Sequence, residues 1–230
     1  MTPGEYRLRV VYGKTGRLRH LSHLEVVRAL ERAIRRAGLP FAITQGFSPH
    51  MKAAFGPALP VGTAGENEYL DVWLTRYTER EIVLAALAKA SPDDLAPREV
   101  SYVAERSPSL TAALTIGVYR IEIDGEGIDR QKVQAELSRI IGEGEFVSEH
   151  RGKTKVFDLA RSLPKEPCVS VRDGGLEIDL TVRMGPQGSL RPEVFVRAVL
   201  DRCDVKASAV RTTRLDTFIE EDERVWSRPV

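Results

Sequence analysis

An α+β fold of two tandem units, each with an antiparallel sheet, is predicted for this 230-residue chain by three observations. Apolar residues recur with period 2 in some segments and at helical spacing in others, in the order β-α-β-β-α-β up to about residue 103. Ser107-Pro108-Ser109 then reads as a joint. Beyond it the alternation restarts with a looser copy of the same order. That order is the ferredoxin-like split βαββαβ unit. The predicted domains are 1–108 and 112–218, divided near 107–114, with an acidic tail over 219–230.

In the first unit, Tyr6-Arg7-Leu8-Arg9-Val10-Val11-Tyr12 alternates like a strand and ends at Gly13. A helix follows over 22–37. Ser22 is its N-cap and Glu25, three residues on, completes an S-x-x-E capping box. At about 100° per residue, Leu24, Val26, Val27, Leu30, Ala33, Ile34 and Ala37 share one half of the wheel, and Arg28, Arg32, Arg35 and Arg36 face the other way. Gly38 ends the helix and Pro40 forbids its continuation. Phe41-Ala42-Ile43 starts a second strand and Glu68–Leu74 forms a third. A second helix opens at Thr78-Glu79-Arg80-Glu81 and runs to about Ala90, with Ile82, Leu84, Ala85 and Leu87 expected on its buried side. Ser91-Pro92-Asp93-Asp94 breaks it, and Val100–Val103 is the fourth strand.

In the second unit, Ile116–Ile123 is a clear strand, and Asp129 caps a helix over 130–141 with Val133, Leu137, Ile140 and Ile141 at helical spacing. Short strands are expected at Phe146-Val147-Ser148 and Thr154–Leu159. Cys168–Val171 and Leu176–Val182 then pair through the turn Asp173-Gly174-Gly175. Arg191-Pro192-Glu193 opens a helix to about Leu200, and Val205–Arg211 is the last strand.

Composition excludes a disordered or membrane protein: 42% of residues are apolar, 29% are charged, and no apolar run approaches the ~20 residues that span a bilayer. The N-terminus lacks the apolar stretch of a signal peptide, and two cysteines, Cys168 and Cys203, are too few for a disulfide scaffold. The cytoplasm is therefore the expected compartment, with both cysteines expected as small buried apolar residues. Net charge is +1, yet Met1 to Pro60 holds ten Lys and Arg against three Glu, so the first quarter is strongly basic.

Chemistry concentrates just after the basic helix. Gln45-Gly46-Phe47-Ser48-Pro49-His50-Met51-Lys52 sets an amide, an aromatic ring, a hydroxyl, an imidazole and an amine within eight residues, stiffened by Pro49 and freed at Gly46. Such a segment suits a binding loop shaped before its ligand arrives. The plainer reading is a turn whose Phe47 plugs the core.

The residues Lys14-x-Gly16, Leu21-Ser22-His23-Leu24-Glu25-x-x-Arg28, Glu31–Pro40, Gln45–His50 and Ala58–Gly62 resemble those of the radical-SAM-associated domain of unknown function. That domain is found alone or fused behind a radical-SAM/cobalamin-binding protein. The resemblance is dense over about residues 5–75 and thinner at Phe157-Asp158-Leu159 and Gly188–Pro192. Glu25 stands where the family usually has Asp, and Met51 where Pro often follows Pro-His. The resemblance implies work beside a radical-SAM modification enzyme and gene neighbours among ribonuclease and ribosomal-protein genes. This chain cannot be that enzyme, because the cluster needs three cysteines and only two exist.

Three functions follow as expectations. The first is an RNA-binding or substrate-presenting accessory module for tRNA or rRNA, with no cofactor of its own. Arg17, Arg19, Arg28, Arg32, Arg35, Arg36 and Lys52 would neutralise phosphates, Phe47 or Tyr12 would stack a base, and Gln45, Ser48 and His50 would complete the surface. The second is a metal-independent endoribonuclease in which His50 is the acid–base group, paired with His23, and Lys52 holds the scissile phosphate. The third is a protein-binding adaptor for a radical-SAM partner. His23 falls on the apolar half of its helix and reads as a packed residue bonded to backbone, while His20 and His150 read as solvated. A metal set of His20, His23, His50 and Glu25 is thereby disfavoured, and no metal is expected.

Overall fold

The computed structural model describes residues 4–150, 152–185, 188–222 and 225–229, with the side chains of His150 and Lys153 excluded. The chain divides into two compact units, Met1–Leu114 with Arg228–Val230, and Thr115–Ser227.

The first unit contains β1 (Tyr6–Lys14), α1 (His23–Arg36), β2 (Ala53–Phe55), β3 (Ala64–Leu74), α2 (Arg80–Ala90), β4 (Pro97–Tyr102) and the single turn α3 (Leu110–Ala113). A 3-10 turn, Gly16–His20, precedes α1 and another, Asp93–Leu95, precedes β4. The strands run in the order β4-β1-β3 with β2 also on β3, and every one of these pairings is antiparallel. This is the ferredoxin-like arrangement that the sequence predicts. Alternation along β1 and β3 turns Leu8, Val10, Tyr12, Leu70, Val72 and Leu74 to one face. There they pack with Val26, Leu30 and Ile34 of α1 and Val83 and Leu87 of α2.

Two details differ from the sequence reading. On α2 the buried residues are Val83 and Leu87, while Ile82 is 56% exposed. The run Ile82–Leu87 is apolar all round the helix, so its periodicity does not choose a face and the neighbouring sheet does. Val83→Ala is expected to cost about 2 kcal/mol and Ile82→Ala no more than about 0.5 kcal/mol, read by urea denaturation. The second strand is also interrupted. Phe41 bridges Leu74 and Ile43 bridges Met51, but the regular strand is only Ala53–Phe55, because the chain leaves the sheet edge in between.

The second unit contains β5 (Leu114–Asp124), α4 (Arg130–Gly142), β6 (Glu145–His150), β7 (Lys153–Asp158), the single turn α5 (Leu159–Ser162), β8 (Cys168–Arg172), β9 (Gly175–Arg183), α6 (Pro192–Arg202), β10 (Ala209–Asp222) and β11 (Val225–Ser227). The order β10-β5-β9-β8 repeats the first unit's topology, and β6 and β7 form a separate two-stranded hairpin inserted before β8. Asp129 caps α4 by accepting from the backbone N–H groups of Gln131 and Lys132. The core gathers Ile121, Leu137, Ile178, Leu180, Phe195 and Val199 around it.

Residues 219–222 and 225–227 are strand, not an acidic tail: β10 extends to Asp222, and Trp226 of β11 pairs with Glu220. The expected last strand, 205–211, gives way to one that begins at Ala209. Its extension past Arg211 carries an inverted pattern, with Thr212, Arg214 and Asp216 buried. Cys203 is buried as expected, but Cys168 is exposed on β8. Among the described residues no helix is long and apolar enough to cross a membrane.

Candidate functional site

The basic helix is fixed at both ends by its own sequence. The Ser22 N–H and Oγ–H both donate to Glu25 Oε2, at 2.8 and 2.7 Å. These bonds, the hydroxyl's first, hold the Glu25 carboxyl below its ordinary value. At the other end Gly38, at φ +67°, turns the chain and donates to the Arg35 carbonyl. Arg28, Arg32, Arg35 and Arg36 are all exposed along one stripe. Arg35 lies 3.7 Å from Glu31 and over the Phe41 ring, and Arg36 donates to the Ala90 carbonyl at 2.6 Å. Among the described residues Arg28 and Arg32 form no ion pair, and neither does the exposed Arg17. The Arg19 Nε–H donates to the Gly16 carbonyl.

The polar loop is an excursion from the sheet edge. Its neck is the Ile43–Met51 bridge, with Met51 buried in the core, and the Thr44 N–H donates to the His50 carbonyl at 2.8 Å. The His50 N–H donates to Thr44 Oγ1, and His50 Nδ1 lies 3.1 Å from the Ser48 carbonyl oxygen. Nδ1 also lies 3.2 Å from Thr44 Oγ1, so the ring is held from two sides. Gly46 sits at φ +153°, a backbone that favours glycine. Gln45, Ser48 and His50 are exposed, and Phe47 at the tip is wholly exposed. Phe47 therefore plugs no core.

Lys52 is placed differently from its expected role. Its ammonium is paired with Glu5 and lies 5.2 Å from the Trp73 ring centroid, so it is not an unengaged phosphate holder. His23 sits edge-on to Phe55 with ring centroids 5.9 Å apart. This ring contact, not the expected backbone bond, is how it packs. Burial, and then Lys14, lower its pKa below 6.5. Between that lowered value and 6.5 the unfolded chain binds more protons, so the stability carried by the neutral ring is present above pH 6.5 and lost as pH falls through the window. A ring-proton NMR titration is expected to place the His23 midpoint below 6.5, and His23→Phe to flatten acid destabilisation in that window. His20 is exposed, and the side chain of His150 lies outside the described residues. Among the described residues no group of three or more His, Cys, Asp or Glu gathers that could hold a metal.

A buried ionic cluster stands out beside this surface. Asp71 is 0% exposed and receives Arg7 Nε–H (2.9 Å) and Nη2–H (2.6 Å) together with Arg9 Nε–H (2.7 Å) and Nη2–H (2.9 Å). Arg7 also donates to the Ser107 and Pro108 carbonyls, and Arg9 to that of Pro229 at 2.9 Å. The available signal was the Arg7-x-Arg9 spacing, which puts both side chains on one strand face, with one acid in the otherwise apolar run Tyr69–Val72.

No curated protein matches the chain. A chain in the crystal structure of a Cbf5-Nop10-Gar1 complex aligns over 94% of this chain and 50% of its own length, at 12% identity and a TM-score of 0.47. This chain thus spans about half the length of that neighbour. An unknown protein from Galdieria sulphuraria aligns over 93% of this chain and 100% of its own, at 11% identity and a TM-score of 0.27. Likeness this distant carries nothing about function. Residues 7–192 match the model of the family described as "Uncharacterized protein conserved in bacteria (DUF2344)", a description that names neither an activity nor a partner.

Proposed function

We propose that this chain, which belongs to that bacterial family, is an RNA-binding accessory module that presents tRNA or rRNA to a radical-SAM modification system in the cytoplasm. The observation that carries the reading is Phe47: an aromatic ring wholly exposed at the tip of a tied excursion, in a unit where, among the described residues, Arg28 and Arg32 of α1 stay out of ion pairs. An unstacked base offers such a ring the apolar contact that water denies it, and arginines offer the backbone its counter-charge. The radical-SAM partner rests on the sequence resemblance alone, and the cytoplasm on two free cysteines.

The nuclease reading has less support, because Lys52 is engaged with Glu5 and His50 Nδ1 is in contact with both Thr44 and Ser48. The test is salt-titrated binding of a labelled single-stranded RNA to the wild type and to Arg28→Glu/Arg32→Glu, with the RNA checked for cleavage in the absence of metal. Salt-sensitive binding weakened by the double reversal and intact RNA are expected. A wild type without salt-sensitive RNA binding ends the reading, and cleavage lost in His50→Ala replaces it with the nuclease.

A further inference from the structure

We propose that the first unit carries, on the sheet face turned away from α1, a binding site for a phosphate group. The argument starts from strand alternation. Leu8 and Val10 face the helices, so Arg7, Arg9 and Val11 face the other way. On that face a cavity of about 90 Å³ is lined by Arg9, Arg98 and Arg228 together with Asn67, Tyr69 and Ser101. Its floor spans three strands, because Arg9 stands opposite Asp71 on β3 and Ser101 on β4, and Val11 opposite Tyr69 and Glu99.

A β-bulge supplies the second arginine. Val11 pairs with Glu99 but Tyr12 with Pro97, leaving Arg98 as the extra residue. In a regular strand Arg98 and Glu99 would point to opposite faces. Here both line the cavity. Among the described residues Arg98 forms no ion pair.

Arg9 supplies donors from beneath. Its guanidinium has five N–H groups. Bonds to Asp71 and to the Pro229 carbonyl use three, on a side chain that is 4% exposed. Among the described residues the other two N–H groups have no partner, and Arg9 lines the cavity, where an unmet donor is costly. Charge points the same way: among the described lining residues Arg9 and Arg98 stand against the carboxylate of Glu99, with Arg228, itself engaged, also at the wall, and Asp71 is shared with Arg7. A cavity of this size admits one phosphate group. A phosphate's tetrahedral oxygens can meet guanidinium, hydroxyl and amide donors from several sides.

The test is isothermal titration calorimetry of the full chain with inorganic phosphate, with AMP and with adenosine. Saturable binding with a Kd on the order of 1 mM or tighter is expected for phosphate or AMP and not for adenosine. Phosphate alone would indicate a free-anion site, and AMP alone a phosphomonoester. Arg98→Glu is expected to weaken binding about tenfold or more, while Arg28→Glu/Arg32→Glu leaves it unchanged. That control separates this site from the RNA reading. Circular dichroism checks folding, and Arg98→Ala replaces Arg98→Glu should the reversal unfold the unit. No saturation in the wild type up to about 10 mM, saturation by adenosine, or equal binding in the folded Arg98 variant overturns the proposal.

Discussion

Asp71→Ala is expected to destabilise the first unit by about 3–5 kcal/mol, enough to consume much of the stability of an ordinary domain. Asp71 is wholly buried, and its two oxygens receive four N–H bonds from Arg7 and Arg9, each 4% exposed. Among the described residues, removing the carboxylate strands the Arg7 guanidinium with the carbonyls of Ser107 and Pro108, and leaves Arg9 with that of Pro229 and the small cavity it lines. Carbonyl dipoles do not replace a counter-ion. The cost is that of stranded charge, not the net worth of the cluster, since buried ion pairs often break even against apolar residues. Arg9→Met is accordingly expected to cost less, because it leaves Asp71 paired with Arg7. The Asp71 and Arg9 variants combined are expected to fall short of the sum of the two single losses. Urea denaturation followed by circular dichroism measures all three. A loss below about 1 kcal/mol in Asp71→Ala would mean that water reaches Arg7 as well as the cavity side of Arg9.

How much of this was legible in the sequence depended on whether the signal was local. Both ferredoxin-like units could be read, because Leu8, Val10, Leu70 and Val72 alternate and Leu30 and Ile34 recur at helical spacing, each pattern facing one core. The cap at Ser22, the stop at Gly38 and the cap at Asp129 depend on residues no more than a few positions away. The fate of the charges was not local. Arg7 and Arg9 look like the solvated half of an alternating strand, but their partner lies more than sixty residues on in β3. A separation of 47 residues likewise hid the Lys52–Glu5 pair, so part of the positive charge counted before Pro60 is already neutralised. The part of β10 beyond Arg211 was missed for a related reason: Arg214 and Asp216 are buried, and buried polar residues erase the alternation that marks a strand.

Arg28→Glu/Arg32→Glu is expected to lower RNA affinity by on the order of 100-fold at low salt while leaving the fold intact. Both side chains are exposed and, among the described residues, outside ion pairs, so the reversal disturbs i,i+3 and i,i+4 neighbours on α1, worth a few tenths of a kcal/mol each. The binding effect is larger, since two attractive charges become two repulsive ones along a polyanion. Each lost phosphate contact removes about 0.7 from the slope of log K against log salt for a single strand, so the double reversal should flatten it by about 1.4. Arg36 is spared because its guanidinium holds the Ala90 carbonyl, and its reversal would mix stability with binding. Phe47→Ala separates the second contribution. A stacked base is worth about 1–3 kcal/mol and carries no charge, so this variant should weaken binding without altering the slope. A flattened slope with Phe47→Ala unchanged would assign the contact to α1 alone and leave the exposed ring for another partner. The reverse result, loss in Phe47→Ala with the slope untouched by the arginine reversals, would place the phosphates elsewhere on the molecule.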